Sequence, residues 1–284
     1  MPSIALQDGA VLPKLGLGTW RLGESRGART SEVAAVRRAL EAGYRLFDTA
    51  EMYGEGGAEE VVGEALAAAL RAGDVRRDDV VVVSKVYPHN ASRDGVVAAC
   101  DRSRRRLGLD RIDLYLLHWR GAHPLRETVA GFRALVQAGS IARWGVSNFD
   151  VDDLEELERV SDAGECAANQ VWFSLSERGP EFALLPWMRD RGMALMAYSP
   201  IDQGRAAKDA TLRAIGAAHG WSAAQVALAW VLSHPGVVAI PKAASEKHQR
   251  ENLAAAGIAL DSEDRARIDA AFPPPRRKTS LSMI

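Results

Sequence analysis

The stretch Asp48-Thr-Ala-Glu-Met-Tyr53-Gly, together with Ser84-Lys85 and Leu117-His118-Trp119, decides the fold prediction. Each segment ends or follows a short apolar run that is rich in β-branched or aromatic residues. The runs span residues 44–47, 80–83 and 112–117. If the runs are neighbouring parallel strands, then a carboxylate, a phenol, an ammonium and an imidazole lie at one end of one sheet. A parallel α/β barrel carries its chemistry at that end.

The same alternation of short apolar runs and helical patterns continues through the whole chain. Predicted strands span residues 14–17, 44–47, 80–85, 112–118, 141–146, 168–171, 194–198 and 237–240. Predicted helices span residues 31–42, 58–71, 93–107, 125–138, 151–160, 182–191 and 222–233. Eight such units predict an α/β fold, a (β/α)8 TIM barrel that forms a single domain over residues 1–284.

Both ends of the chain carry additions to this repeat. Two short apolar runs around an Asp-Gly turn predict a β-hairpin over residues 4–12. The proline-rich stretch after Phe272 predicts an extended C-terminal tail over the barrel. The tail is short, so we expect little material for a long closing loop.

An open doubly wound sheet is the alternative architecture. A dinucleotide-binding sheet of that kind usually carries G-x-G-x-x-G after its first strand. Here Gly16-Leu-Gly18 is followed by Thr19, Trp20 and Arg21, so the third glycine is missing. The barrel is therefore the favoured prediction.

Composition excludes several classes of function. The chain has 284 residues with 36 basic against 37 acidic side chains, so no strong field favours nucleic acid or an anionic membrane surface. Two cysteines predict no disulfide framework and fit a reducing compartment. The N-terminus does not resemble a secretory signal, and no apolar run approaches the ~20 residues that span a bilayer. We therefore expect a cytoplasmic protein that binds neither nucleic acid nor a membrane.

The four polar residues at the predicted strand ends form a chemically coherent set. Asp48 would keep Lys85 charged, and the ammonium of Lys85 would lower the pKa of Tyr53. A neutral His118 could orient a carbonyl group while Tyr53 donates a proton to its oxygen. Such a set supplies no hydride, so a cofactor must. Taken singly, each residue also has a structural explanation: a tyrosine at the edge of the core, a buried ion pair, or a satisfied histidine.

Eight motifs in order make the chain resemble the aldo-keto reductase family over nearly its whole length. The motifs are Gly16-Leu-Gly-Thr-Trp20, Asp48-Thr-Ala-Glu-Met-Tyr53-Gly, Ser84-Lys85, Leu117-His118-Trp119, Gly145-Val-Ser-Asn148-Phe, Asn169-Gln170-Val, Tyr198-Ser199-Pro200 and Ile240-Pro-Lys242. The resemblance implies an NADPH-dependent reductase of small aldehydes or ketones, including dicarbonyls such as methylglyoxal. It also implies a monomer, with Asp48, Tyr53, Lys85 and His118 as the catalytic residues.

The resemblance further implies which residues contact the cofactor. Ser147, Asn148 and Gln170 would hydrogen-bond the nicotinamide carboxamide, and Tyr198 would stack on its ring. The complete implied cofactor set is Gly18, Thr19, Asp48, Ser147, Asn148, Gln170, Tyr198, Ser199, Lys242, Ser245, His248, Glu251 and Asn252.

One position departs from the family pattern. An arginine is expected four residues before Asn252, and this chain has His248 there. A guanidinium binds a phosphate through a fixed bidentate fork, and a neutral imidazole does not. We therefore expect NADPH to be preferred, with weaker discrimination against NADH than an arginine would give.

Four aromatic residues after strand ends are predicted to line the substrate pocket. They are Trp20, Tyr87, Trp119 and Trp172. An aromatic slot of this kind favours compact, weakly solvated carbonyl compounds.

Three other functions remain as alternatives at this stage. The first is an NADP(H)-binding redox sensor or regulatory subunit with little turnover. The second is a barrel glycosidase, which needs two suitably spaced carboxylates. Only Asp48 stands at a strand end, and we expect Glu51 and Glu55 to be solvated loop residues.

The third alternative is a metal hydrolase, for which the histidines lack ligand spacing. We expect His89, His123, His219 and His234 to be surface or packing residues.

Overall fold

A computed structural model describes residues 2–162 and 164–284 of the chain. The strands of this part are Ser3–Ala5 (β1), Val11–Pro13 (β2), Leu17–Gly18 (β3), Leu46–Asp48 (β4), Val81–Val86 (β5), Ile112–Leu117 (β6), Ile141–Ser147 (β7), Cys166–Trp172 (β8), Ala194–Tyr198 (β9) and Val237–Ala239 (β10). Its α-helices are Arg29–Ala42 (α1), Gly57–Ala72 (α2), Arg93–Leu107 (α3), Leu125–Gln137 (α4), Val151–Glu158 (α5), Leu184–Asp190 (α6), Ala210–His219 (α7), Ala223–Leu232 (α8), Glu246–Ala255 (α9) and Ser262–Ala271 (α10).

Strands β3 to β10 form one parallel sheet in chain order, which confirms the predicted (β/α)8 barrel. The sheet closes on itself through the segment before β3. The backbone N–H of Gly16 donates to the carbonyl of Ala239 at 2.9 Å, and the N–H of Ala239 donates to the carbonyl of Lys14 at 2.8 Å. A closed parallel sheet brings the C-terminal ends of all eight strands into one ring.

The predicted N-terminal hairpin is also confirmed, and it covers the opposite end of the barrel. Strands β1 and β2 pair antiparallel, and the turn between them is closed by the N–H of Leu6, which donates to the carbonyl of Ala10 at 2.7 Å. The side chains of Leu6 and Leu12 pack against the residues that fill the barrel interior. The N-terminal end of the barrel is therefore sealed by apolar packing, which leaves the C-terminal end for a site.

The helices pack around the sheet in a second apolar layer. Their inward faces join the outward faces of the strands in one large buried cluster, which is separate from the cluster inside the barrel. Among the described residues, no helix is long and apolar enough to cross a membrane.

Most predicted elements are confirmed to within a few residues, with two kinds of difference. The first barrel strand is Leu17–Gly18 and not residues 14–17, because Lys14 and Leu15 make only the isolated closing contacts. Helices α7, α9 and α10 were not predicted. The last two are polar on most of their surface, so they carry little apolar periodicity.

Both cysteines are free and buried. Cys100 lies on α3 and Cys166 begins β8, and burial raises the pKa of each thiol to about 12. Neither thiol is therefore ionised near neutral pH.

Gly145 lies at a point of the barrel wall where glycine is required. Gly145 lies in β7, where the pairing with β8 changes register. A Cβ atom at this position would lie 2.4 Å from the carbonyl oxygen of Ala168 in β8. The approach of the two backbones leaves no room for a side chain.

We expect Gly145→Ala to lower the free energy of unfolding by about 1–3 kcal/mol, because the added methyl group forces two strands apart. Urea denaturation followed by tryptophan fluorescence measures this loss. Gly257→Ala is the matched control, since the nearest heavy atom to its Cβ would lie at 3.7 Å. Equal stability of the two variants would contradict the packing argument.

Candidate active site

Three neighbouring strands carry the four polar residues that the sequence singled out. Asp48 ends β4, Lys85 is the penultimate residue of β5, and His118 follows β6. Tyr53 lies on the loop after β4 and returns towards Lys85. The structure therefore brings all four side chains together at the C-terminal end of the barrel.

A buried ion pair lies at the centre of this group. Lys85 is 0% exposed, and its Nζ atom donates to Asp48 Oδ2 at 2.8 Å, to the carbonyl oxygen of Thr49 at 2.9 Å and to Tyr53 Oη at 3.2 Å. The second oxygen of Asp48 accepts from Gln170 Nε2 at 2.7 Å. The three donors of the ammonium and both carboxylate oxygens are thus paired, as burial of two charges demands.

The pair sets the protonation states of the site. Burial opposes the charge of Lys85, but Asp48 and Tyr53 outweigh it and raise the pKa of the ammonium above its ordinary value. Burial also raises the pKa of Tyr53, and the opposing effect of Lys85 does not cancel it. The expectation of a lowered pKa for Tyr53 is therefore wrong for this structure, because removal of the phenol from water outweighs the nearby charge.

His118 is held neutral beside the phenol. Burial first, and then the charge of Lys85, lowers the pKa of His118 well below its ordinary value. Its ring contacts the ring of Tyr53 edge to face, with centroids 5.7 Å apart. The Nδ1 atom has no hydrogen-bond partner among the described residues. A neutral imidazole and a protonated phenol therefore face the same space.

A second polar group adjoins the first on β7, β8 and β9. Asn148 Nδ2 donates to the carbonyl of His118 at 3.2 Å, and Asn148 Oδ1 accepts from the hydroxyl of Tyr198 at 2.9 Å. Ser147 Oγ donates to the carbonyl of Gln170 at 2.8 Å. Because Gln170 also contacts Asp48, the two polar groups form one continuous network.

The backbone is strained where these residues leave the sheet. Arg21, Asn148 and Ser199 have φ angles of 64°, 60° and 47°, although none is glycine. Asn148 and Ser199 directly follow β7 and β9, and Arg21 lies three residues after β3. Left-handed conformations of this kind cost free energy and concentrate at functional sites. This strain marks the same end of the barrel as the buried charges.

Helix α9 carries the outer part of the predicted cofactor site. Ser245 caps the helix, and its Oγ accepts from the backbone N–H of His248 at 3.3 Å. His248 is exposed in the first turn, Glu251 is half-buried and Asn252 is buried. A helix N-terminus with a free hydroxyl can bind an anion, but the guanidinium expected from the family pattern is absent.

The loops after β3 and β10 meet beside α9. Gly18 lies so close to the segment after β10 that a Cβ atom would be 2.6 Å from a backbone carbonyl oxygen there. Thr19 Oγ1 donates to the carbonyl of Asp48 at 2.9 Å. Partial burial lowers the pKa of Lys242, and Arg21 acts in the same direction. Lys242 and Arg21 therefore share this corner with the carboxylates of Glu32 and Glu24, and Arg21 was not among the predicted site residues.

Two of the four predicted pocket aromatics, Tyr87 and Trp119, lie on the His118 side of the site. The rings of Tyr87 and Trp119 meet edge to face at 5.8 Å, and Trp119 lies 4.9 Å from the ring of His118. Trp172 pairs with Tyr198 across β8 and β9, and its Nε1 atom lacks a hydrogen-bond partner in the described chain. Trp20 is half-buried under the guanidinium of Arg21, with 4.5 Å between ring centroid and Cζ.

One expectation about the loop carboxylates is wrong. Glu51 is 6% exposed and not solvated, because it accepts hydrogen bonds from the backbone of Tyr87 and from the side chains of Asn90 and Arg102. Glu55 is exposed, as expected. No sequence pattern indicated the burial of Glu51, since Arg102 lies 51 positions away from it.

The tail reaches the site although it is short. Lys278 Nζ forms ion pairs with Asp150 at 3.3 Å and Asp152 at 3.0 Å. The backbone of Ile284 lies beside the hydroxyl of Tyr198, whose pKa burial raises to about 12. The tail therefore contacts one edge of the site.

One histidine has neighbours that its sequence spacing concealed. His219 Nε2 lies 3.1 Å from Asp264 Oδ2, and Asp261 accepts from the backbone N–H of Asp264 as the cap of α10. Ligand atoms of the three side chains lie within 4.8 Å of one another. The hydrogen bonds account for the grouping as a connection between α7 and α10, and the ring of His219 also stacks on Trp221.

The fold and the site together define a barrel enzyme equipped to deliver a proton to a carbonyl oxygen. Comparison with known proteins then gives the family. The aldo/keto reductase family model matches residues 14–272, and the chain belongs to this family.

Several relatives cover nearly the whole chain. The methylglyoxal reductase YeaE of Escherichia coli K12 is 49% identical over 278 residues, which are 96% of this chain and 95% of the relative. The glyoxal reductase of Bacillus subtilis is 35% identical over 94% of this chain and 92% of its own length. An aldo/keto reductase from Klebsiella pneumoniae, solved in complex with NADP and acetate, is 46% identical, with a TM-score of 0.93 over 99% of both chains.

The neutral His118 predicts a pH dependence of stability. The pKa of His118 in the folded protein lies below the ordinary value of 6.5. When the pH falls below about 6.5, the unfolded chain therefore binds a proton at His118, whereas the folded chain does not. The free energy of unfolding should therefore decrease as the pH falls below about 6.5. His118→Gln should make this decrease smaller. Urea denaturation at pH 7.5 and at pH 5.5 measures the difference in the free energy of unfolding.

His123→Gln, in the loop that follows, is the control for loss of a histidine. This variant should show the same change in the free energy of unfolding between the two pH values as the wild type. A His118→Gln variant with the same pH dependence as the wild type would show that His118 is not buried in its neutral form.

Proposed function

We propose that this protein reduces small aldehydes and dicarbonyls, with methylglyoxal as a representative, by transfer of a hydride from NADPH. The observation that carries the proposal is the position of Lys85 Nζ, which is shared between Asp48 at 2.8 Å and Tyr53 Oη at 3.2 Å. This contact joins a protonated phenol to a buried positive charge. A proton donor of this kind suits an oxygen that becomes negative during the reaction.

The chemistry of the network fits an NADPH molecule. Gln170 uses only its Nε2 atom on Asp48, which leaves its Oε1 atom for the amide of a carboxamide group. Trp172 lies two residues further along β8, with its Nε1 atom unpartnered in the described chain, and it pairs with the half-buried Tyr198 on β9. At the far end, Lys242 and the cap of α9 offer a cation and a hydroxyl to a phosphate.

Each residue then has one task during reduction. NADPH, when bound, supplies the hydride. Neutral His118 would donate a hydrogen bond that orients the carbonyl oxygen, and Tyr53 would transfer its proton to that oxygen. Lys85 would stabilise the phenolate that remains, while Asp48 keeps Lys85 charged and in place. The raised pKa of Tyr53 keeps the phenol protonated over the physiological pH range.

The aromatic lining of the pocket supports small, weakly solvated substrates. Tyr87 and Trp119 form an aromatic wall beside His118. An aromatic wall of this kind favours compact, weakly solvated carbonyl compounds. The printed names of two relatives, methylglyoxal reductase and glyoxal reductase, point to the same class of compound.

Tyr53→Phe should lower kcat for methylglyoxal by about 10²–10⁴-fold, because only the proton donor is removed. Steady-state oxidation of NADPH measures the loss, and fluorescence titration should show NADPH binding unchanged. Near-normal turnover by this variant would refute Tyr53 as the acid. A wild-type protein that binds NADPH tightly but turns over no carbonyl compound would favour a sensor of NADP(H).

His248→Arg should raise the preference for NADPH over NADH about tenfold in kcat/KM. The guanidinium adds a charge-assisted, bidentate contact to the 2′-phosphate that an imidazole does not make. His248→Gln, a neutral side chain at the same exposed position, should leave the ratio near the wild-type value. An unchanged ratio in His248→Arg would place the 2′-phosphate away from this turn of α9.

A further inference from the structure

We propose that Glu51 is a positioning residue that fixes one wall of the substrate pocket. The inference rests on the proposed function, since it concerns the same pocket. Glu51 lies between Asp48 and Tyr53 in the chain, and its backbone N–H donates to the carbonyl of Lys85 at 3.4 Å. Its side chain bonds to none of the four catalytic side chains and to none of the predicted cofactor residues. Its carboxylate instead connects the loop that carries Tyr53 to the loop that carries Tyr87.

Three hydrogen bonds make this connection. Oε1 of Glu51 accepts from the backbone N–H of Tyr87 at 2.8 Å and from Asn90 Nδ2 at 3.1 Å. Oε2 accepts from Arg102, on α3, at 3.2 Å. The side chain of Glu51 is 5% exposed, so its charge must be compensated by these donors. A buried carboxylate with three donors in fixed directions allows one position of the loop.

The loop that Glu51 holds supports the aromatic wall. Tyr87 is followed by a 3-10 turn over Pro88–Asn90, and Pro88 packs so closely on Gly121 that a Cβ there would lie 2.6 Å away. Gly121 belongs to the loop that carries Trp119, whose ring meets that of Tyr87 at 5.8 Å. A shift of the turn would therefore move Tyr87 and Trp119 together.

The effect should reach the substrate but not the cofactor. Trp119 lies 4.9 Å from the ring of His118, so the aromatic wall sets where a carbonyl compound rests against the imidazole. The predicted nicotinamide contacts come from β7, β8 and β9, and none of them touches Glu51. A positioning role therefore predicts weaker binding of the carbonyl compound with NADPH affinity preserved.

Substitution of Glu51 tests this split. In Glu51→Leu, which keeps the bulk but loses every acceptor, KM for methylglyoxal should rise about tenfold, with the dissociation constant of NADPH unchanged. The rise should be smaller for benzaldehyde, whose ring contacts more of the pocket. Glu51→Gln should lie between Glu51→Leu and the wild type, because its Oε1 can still accept from the N–H of Tyr87.

The chain offers a matched control in a second buried carboxylate. Glu59, on α2, is 0% exposed and accepts from Ser84 Oγ at 2.5 Å and from Arg106 Nε at 2.6 Å. Its partners are not part of the aromatic wall. Glu59→Gln should reduce stability without the selective rise in KM. An equal rise in KM in Glu51→Gln and Glu59→Gln would show that loss of a buried carboxylate acts only through stability. That result would overturn the proposal.

Partners of Glu51 allow the same test where Glu51→Leu fails to fold. Arg102→Met changes a side chain that is 40% exposed, and Asn90→Ala removes one donor from the turn. Each should raise KM for methylglyoxal by a smaller factor than Glu51→Leu. Unchanged KM in both variants would overturn the positioning role while the reductase activity of the wild type stands.

A crystal structure separates this inference from the proposed function. If the wild type turned over no carbonyl compound, the proposed function would fail, and kinetic tests would have no basis. The structure of Glu51→Leu should still show Tyr87 and Trp119 displaced relative to His118. Unchanged positions of both rings would overturn the role of Glu51 independently of any activity.

Discussion

The buried pair of Lys85 and Asp48 is the interaction on which the site depends. Burial of two charges costs several kcal/mol per ion, and only complete pairing offsets this cost. The structure meets the requirement with Thr49, Tyr53 and Gln170, which come from the loop after β4 and from β8. Satisfaction of one ammonium and one carboxylate therefore fixes a phenol and an amide in place. The residues needed for chemistry are the same ones that make the charges tolerable.

The barrel separates this network from the forces that stabilise the fold. Apolar side chains fill the interior and the hairpin seals the N-terminal end, so the polar groups collect where the strands end. Strained residues such as Asn148 and Ser199 occur at that end as well. The large apolar layers supply the stability that makes buried charge and backbone strain affordable. Loops such as that of Glu51 then adjust the pocket without changing the barrel.

Sequence patterns predicted the barrel and the meeting of Asp48, Lys85 and His118, because apolar runs locate strands and strand ends share one edge. They failed where side chains far apart in sequence determine the outcome. The burial of Glu51 depends on Arg102, and the contact of Ile284 with Tyr198 depends on the path of the tail. The pKa of Tyr53 depends on the balance between burial and charge, which spacing does not reveal. Residue roles, oligomeric state and compartment stay predictions.

The two buried thiols have a consequence for a protein that handles aldehydes. Aldehydes and dicarbonyls are electrophiles, and they react with cysteine through the thiolate form. Cys100 is 0% exposed and Cys166 is 7% exposed, and the pKa of each is about 12. Neither side chain offers a thiolate to a reactive compound or to a peroxide. The protein's own cysteines are thus chemically inert towards the class of molecule that it is proposed to consume.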